Sequence, residues 1–263
     1  MGGRRLKKHL MRTAAALPVF LANPVFAASP TYNWSGFYAG LTAGATWSSS
    51  HETTSLPCTE PLGVGAICTT TFSGNGPLLL SAMDGSFSRT QFTGGADAGY
   101  NWQNGPGVYG VEFDLESFKG ASRSGAFTSA AFGSPVVLNS SVDADWLFTA
   151  RGRFGYAFDR VLAYATGGLA STRLNANFSY ADTNVDTGSW SGSQNKFGWV
   201  VGGGLQWALS SAWSVKAEYL YVNFGSISAS GAIVNQFFGY SNAVSTSADL
   251  TAQIARAGVN YKF

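Results

Sequence analysis

Charged residues are scarce in this chain. They make up 11% of its 263 residues, whereas about a quarter of a typical soluble domain is charged. Because a large water-facing surface needs more charge than this, the composition argues against an ordinary cytosolic protein. Apolar residues account for 45% of the chain and aromatic residues for 14%, which excludes disorder as a description of the whole.

Long hydrophobic runs are also missing. The longest run, residues 14–22, has nine residues when Pro18 is counted as apolar. A transmembrane helix needs about 18 or more consecutive apolar residues. The sequence therefore predicts no transmembrane helix.

Cysteine and histidine are nearly absent. Cys58 and Cys68 are the two cysteines, and in an oxidising compartment they favour a local disulfide over two free thiols. His9 and His51 are the two histidines, too few for a zinc site. The stretch Ser48-Ser-Ser-His-Glu52 permits a serine, histidine and acid arrangement in principle, but serine runs beside a strand end are usually solvated loop, and adjacent Ser and Glu residues need not face the histidine. We expect no metal, no cofactor and no enzymatic activity.

Residues 1–27 have the three parts of a secretory signal. Five lysines and arginines precede the apolar stretch 13–22, and Val25-Phe-Ala27 fits a cleavage site. Cleavage there leaves residues 28–263 as one domain with eleven basic and fourteen acidic residues, a net charge of −3. The basic excess therefore belongs to the signal, and we expect no nucleic-acid partner.

Apolar and polar residues alternate in eight segments of the remaining chain. In residues 37–47, Phe37 and Trp47 share one parity and Thr42 has the other, which indicates a strand. Its eleven residues match a tilted membrane-crossing strand of about 9–11 residues. The predicted strands are 37–47, 92–102, 109–115, 146–156, 161–174, 197–207, 213–221 and 255–263. Both parities of 161–174 are weakly apolar, so its facing stays open.

The connections alternate between short and long. Short turns are expected at 104–107, 158–160 and 209–212. The long segments are 48–90, 119–144, 175–195 and 225–248, which are rich in Ser, Gly, Asn and Ala and show no evident structure. Bacterial outer-membrane barrels have short periplasmic turns and long extracellular loops. The sequence thus predicts an all-β fold, an eight-stranded antiparallel transmembrane barrel with four long extracellular loops.

Side-chain chemistry indicates which face of this barrel points inward. The polar faces carry the charged residues Asp97, Glu112, Asp114, Glu116, Arg151, Arg153, Lys216, Glu218 and Arg256. Ion pairs across the interior would offset the cost of burying them. The apolar faces end in aromatic residues, as at the two interfaces of a bilayer: Trp47, Trp102, Tyr109, Trp146, Tyr156, Trp199, Trp207 and Trp213. The interior charges fit either a polar plug that holds the strand register or a narrow charge-selective conduit.

Three stretches resemble a known family. They are Trp34-Ser-Gly-Phe-Tyr-Ala-Gly40, Glu218-Tyr-Leu-Tyr-Val-Asn-Phe-Gly225 and Val259-Asn-Tyr-Lys-Phe263. They are similar to the alphaproteobacterial outer membrane immunogenic proteins, or porin-family proteins, and more broadly to the opacity-like and OmpA-type eight-stranded barrels. The resemblance spans nearly the whole mature chain. It implies an abundant, surface-exposed envelope component, and it makes Val259, Tyr261 and Phe263 the signal that the barrel-assembly machinery reads.

The expected role is therefore a structural, surface-exposed and antigenic component of the outer membrane. Its expected partners are outer-membrane lipid, the barrel-assembly machinery, and host or environmental ligands at the loops. A small porin for ions or solutes is the alternative. A soluble periplasmic ligand-binding barrel is a third hypothesis, disfavoured because aromatic side chains would overfill so narrow an interior.

Overall fold

The computed structural model describes residues 32–56, 84–129, 134–182, 186–235, 237 and 239–263. These residues form ten antiparallel strands. The strands are β1 (Gly36–Ser55), β2 (Gly85–Asn104), β3 (Gly107–Ser117), β4 (Ala121–Ser129), β5 (Ser134–Ala144), β6 (Trp146–Phe158), β7 (Val161–Asp182), β8 (Asp186–Ala208), β9 (Trp213–Asn235) and β10 (Tyr240–Lys262). In this part of the chain, no helix is long and apolar enough to cross a bilayer.

Eight of these strands close into a ring. The order around the ring is β1, β2, β3, β6, β7, β8, β9 and β10, and β10 pairs again with β1. The last strand joins the first in one unbroken register from Tyr38 opposite Lys262 to Ser55 opposite Ser245. A closed ring satisfies the backbone hydrogen bonds that lipid cannot. The predicted eight-stranded antiparallel barrel is confirmed.

Short turns lie at one end of the ring, which we call the lower end. Gly105 between β2 and β3 has a φ of 59°, and Asp159 between β6 and β7 has a φ of 56°. This left-handed conformation lets the chain reverse within two residues. The turns fall where the sequence predicts them.

Where the structure describes them, the long segments at the opposite, upper end are mostly strand, which corrects the expectation that they have no evident structure. β7 to β10 have 22 or 23 residues each, about twice what a membrane crossing needs. β4 and β5 continue β3 and β6 beyond short breaks, and β5 then pairs with the upper half of β7. We call the strand segments above Trp47, Trp146 and Trp199 the upper extension.

The outer face of the barrel changes from apolar to polar where the upper extension begins. Below this level it is apolar, and Leu41 and Phe92 are 70% and 76% exposed. Above Trp47 the outward positions of β1 are Ser49, His51, Thr53 and Ser55. Apolar side chains that face outward in a closed sheet are the arrangement of a membrane barrel. The upper extension therefore stands outside the lipid.

The structure also settles the facing of β7. The even-numbered positions point inward, with Leu162 and Leu174 buried, and Leu169 lies exposed on the outer face. Sequence alternation is weak here because the inward positions are apolar as well.

Candidate functional site

Nine charged side chains meet inside the ring and form what we call the charge network. They come from β2, β3, β6, β9 and β10: Asp97, Glu112, Asp114, Glu116, Arg151, Arg153, Lys216, Glu218 and Arg256. Each is at most 5% exposed. Strand register brings opposite charges level, with Glu112 opposite Arg151 and Glu218 opposite Arg256. The structure thus places inside the ring each of the nine charged residues that the sequence assigned to the barrel interior.

Two arginines occupy the centre of the charge network. Arg151 donates to Asp114 Oδ2 (2.8 Å), to Glu218 Oε1 (2.9 Å) and to Glu112. Arg256 donates to Asp114 Oδ1 (2.6 Å), from Nε to Glu218 Oε2 (2.8 Å), and to Glu116. Asp114 and Glu218 thus each bridge both guanidinium groups. Four strands are cross-linked through the axis of the barrel.

Arg153 and Lys216 extend the charge network toward the lower end. Arg153 Nη1 lies 3.0 Å from Glu112 Oε2, and Lys216 Nζ lies 3.2 Å from both Glu112 Oε2 and Asp97 Oδ2. The Arg153 guanidinium also stacks over the Tyr164 ring at 3.9 Å. Such contacts recover part of the free energy that burying a charge costs.

Neutral side chains complete the charge network, and sequence reasoning did not single them out. Tyr38 donates to Glu112 (2.7 Å), Thr149 to Asp114 (2.6 Å), Tyr164 to Glu218 (3.1 Å) and Asn260 to Asp97 (2.6 Å). Thr149 and Asn260 share the inward parity of the network charges on β6 and β10, and Tyr38 and Tyr164 lie at inward positions of β1 and β7. Parity could have identified Tyr38, Thr149 and Asn260, whereas the weak alternation of β7 leaves the facing of Tyr164 open in the sequence.

Apolar layers cover the charge network above and below. The lower layer is a buried cluster of Tyr32, Trp34, Val108, Ala157, Leu162, Tyr164 and Ala208. The upper layer belongs to a larger buried cluster that continues into the upper extension and includes Phe118, Leu147, Leu174, Val200, Leu220 and Val222. Within the described residues, the charge network therefore lies between two buried apolar clusters.

The predicted girdle residues lie exposed at two levels. Trp47, Trp146 and Trp199 ring the upper level, and Trp102, Tyr109, Tyr156, Trp207 and Trp213 ring the lower one. Trp102 stacks on Tyr109 with ring centroids 5.8 Å apart. Amphipathic rings at two levels match the two interfaces of a bilayer.

The C-terminal residues close the ring at its lower end. Val259, Tyr261 and Phe263 face outward and are exposed. The Phe263 amide donates to the Phe37 carbonyl at 3.0 Å. Tyr261 packs edge-on against Trp213 and Phe263. These residues are accessible on the outer face of the last strand.

The structure places His51 on the outer face of the upper extension, between Ser86 on β2 and Asp249 on β10. His51 Nδ1 is 3.0 Å from Ser86 Oγ. Glu52, the acid next to it in sequence, is buried on the opposite face and accepts a hydrogen bond from Ser140. At this level β1 is paired with β2 on one side and with β10 on the other, so its backbone amides are engaged in strand pairing. The strand positions around His51 therefore lack the two free amides that stabilise an oxyanion.

Two predictions fall outside the described residues. Cys58 and Cys68 lie in 57–83, and the signal lies in 1–31. Among the residues that the structure does describe, no group of three or more His, Cys, Asp and Glu side chains is placed to hold a metal ion.

Comparisons with known proteins agree with this architecture. Residues 13–263 match the family model of the outer membrane protein beta-barrel domain. The chain is 31% identical over 243 residues to the 31 kDa outer-membrane immunogenic protein of Brucella melitensis, which covers 91% of this chain and 88% of that protein. It is 26% identical over 276 residues to the 25 kDa outer-membrane immunogenic protein of Brucella abortus, with 99% and 100% covered.

A solved structure shares the fold. The outer membrane protease OmpT from Escherichia coli superposes with a TM-score of 0.50 at 8% identity, over 90% of this chain and 99% of that one. The likeness extends to the fold alone. Together with the inverted facing and the two girdles, the family match places the protein in the outer membrane. The chain belongs to the outer membrane protein β-barrel family, as a relative of the Brucella outer-membrane immunogenic proteins.

Proposed function

We propose that this barrel is a non-conducting, non-enzymatic scaffold that anchors the upper extension at the cell surface, where it is antigenic. The observation that carries the proposal is the charge network enclosed between two apolar layers. A conduit needs a continuous path of water, whereas the charged side chains of this network form ion pairs with one another. The names of the Brucella relatives support the antigenic role.

Planar-bilayer recording of the refolded protein tests the proposal. We expect no steady conductance above the lipid background. The double variant Arg151→Ala/Arg153→Ala is expected to lower the unfolding midpoint and to create no ion selectivity. Arg173→Ala, which removes an exposed arginine of the upper extension, is the matched control. Steady channels in the wild-type protein, with a selectivity that the double variant changes, would establish the small porin instead.

We further propose that residues 1–27 direct export and are cleaved, and that Val259, Tyr261 and Phe263 are read by the barrel-assembly machinery. The outward, exposed position of Val259, Tyr261 and Phe263 on the last strand supports their recognition by the assembly machinery. Phe263→Ala is expected to reduce the heat-modifiable, folded form in cell envelopes several-fold, while the same variant refolds normally in detergent. Thr251→Ala on the same strand serves as the control. Equal loss in cells and in detergent would mean that Phe263 acts only in packing.

A further inference from the structure

The outer face of the upper extension carries an ordered lattice of hydroxyl and amide side chains. The register aligns Asn139 on β5, Ser179 on β7 and Ser189 on β8 in one row, and Ser141, Asn177 and Ser191 in the next. We call these six residues the polar lattice. Asn139 Nδ2 donates to Ser179 Oγ at 3.2 Å.

The polar lattice lines a surface groove of about 720 Å³. Ser122 and Ser230 add two more hydroxyl groups at its edges, and the buried Phe178 and Trp190 lie in its floor. Among the residues that the structure describes, none that lines the groove is charged. Asp143 and Arg173 belong to rows closer to the lipid. An uncharged groove with closely spaced donors and acceptors suits a neutral polyhydroxyl ligand, because an ion would find no counter-charge there.

The position of the groove favours one source of such a ligand. Asn177 and Ser191 lie eight residues above the level of Leu169 and Trp199, which face the lipid. At about 3.3 Å per residue this is about 26 Å along the strand, or about 20 Å above the lipid boundary for strands tilted by about 40°. In a Gram-negative outer leaflet, the sugar chain of lipopolysaccharide surrounds a barrel at this height.

We propose that the polar lattice binds neutral sugars of the lipopolysaccharide that surrounds the barrel. The proposal rests on the outward display of the upper extension. Hydroxyl and amide groups on β5, β7 and β8 hydrogen-bond the sugar hydroxyls, and one glycolipid is held along the wall of the barrel.

Titration of the refolded full chain tests the proposal. The probes are lipopolysaccharide purified from the bacterium that makes this protein, the neutral oligosaccharide released from it, and its lipid A alone. We expect saturable binding of the oligosaccharide and tighter binding of lipopolysaccharide than of lipid A. Ser189→Ala/Ser191→Ala is expected to weaken oligosaccharide binding about tenfold, as the loss of two neutral hydrogen bonds implies.

The matched control is Ser49→Ala/Ser55→Ala, which removes two outward serines from β1. It is expected to bind like the wild type. Equal loss in both variants, absent oligosaccharide binding, or lipid A binding as tight as that of lipopolysaccharide would each overturn the proposal. Heat-modifiable migration of every variant reports the barrel separately, so failure of sugar binding in a folded protein leaves the scaffold function standing.

Discussion

At the scale of single residues, Arg256 shows how the interior depends on complete pairing. Its guanidinium contacts Asp114, Glu116 and Glu218, all of which are buried. Arg256→Ala leaves these carboxylates with too few partners, and breaking a buried ion pair costs about 3–5 kcal/mol. We expect this loss in the free energy of unfolding, measured by urea titration in lipid vesicles.

The exposed Arg173 provides the comparison for that measurement. Its Nε donates only to Ser193 Oγ at 3.3 Å among the hydrogen bonds described for it, and exposed contacts contribute about 1 kcal/mol or less. An Arg256→Ala loss no larger than that of Arg173→Ala would show that the charge network does not stabilise the barrel.

Single residues were also the level at which the sequence was most informative. The nine network charges could be assigned to the interior because each stands at the polar parity of a strongly alternating strand, as Glu112 does between Val111 and Phe113. Which carboxylate meets which arginine depends on the register between strands far apart in sequence. Parity within one strand carries no such information.

At the scale of elements, β9 contains a break in alternation. Inward positions are even-numbered up to Phe224 and odd-numbered from Ile227 onward. Gly225 lies between them with a φ of 65°. The left-handed conformation favours glycine, since a Cβ there costs about 1 kcal/mol. The predicted strand ended earlier, at residue 221, because the next inward residues, Val222 and Phe224, are apolar, whereas Asn223 between them is polar.

Gly225→Ala is accordingly expected to lower the free energy of unfolding by about 1 kcal/mol in the same urea titration. Gly152→Ala is the control, because a Cβ at Gly152 would meet nothing closer than 3.8 Å and its φ is not positive. If both variants lose the same amount, the conformation at Gly225 is not what limits the substitution.

The rest of the upper extension escaped prediction for a chemical reason. Most outward positions there are Ser, Thr and Asn, and several inward positions are Thr, Ser and Ala, as at Thr246 and Ala248. The difference in hydrophobicity between the inward and outward faces is therefore small, although the strand pairing is as regular as in the lower half.

At the scale of the whole molecule, the two ends of the barrel face different compartments. The upper extension is predicted to lie outside the cell and the short turns inside. In a Cys58→Ser/Cys68→Ser background, Ser189→Cys is expected to react with a membrane-impermeant maleimide on intact cells, because Ser189 is exposed on β8. Ser211→Cys, exposed in a lower turn, is expected to react only after the cells are opened. The reverse labelling would invert the orientation.

The polar lattice has a consequence for immune recognition. Ser141, Asn177 and Ser191 are side by side on the surface, yet each comes from a different part of the chain. An epitope formed by the polar lattice is therefore discontinuous. A synthetic linear peptide with the sequence of β5, β7 or β8 would contain only the epitope residues of that one strand. Sera raised against such peptides would bind the denatured chain better than the living bacterium.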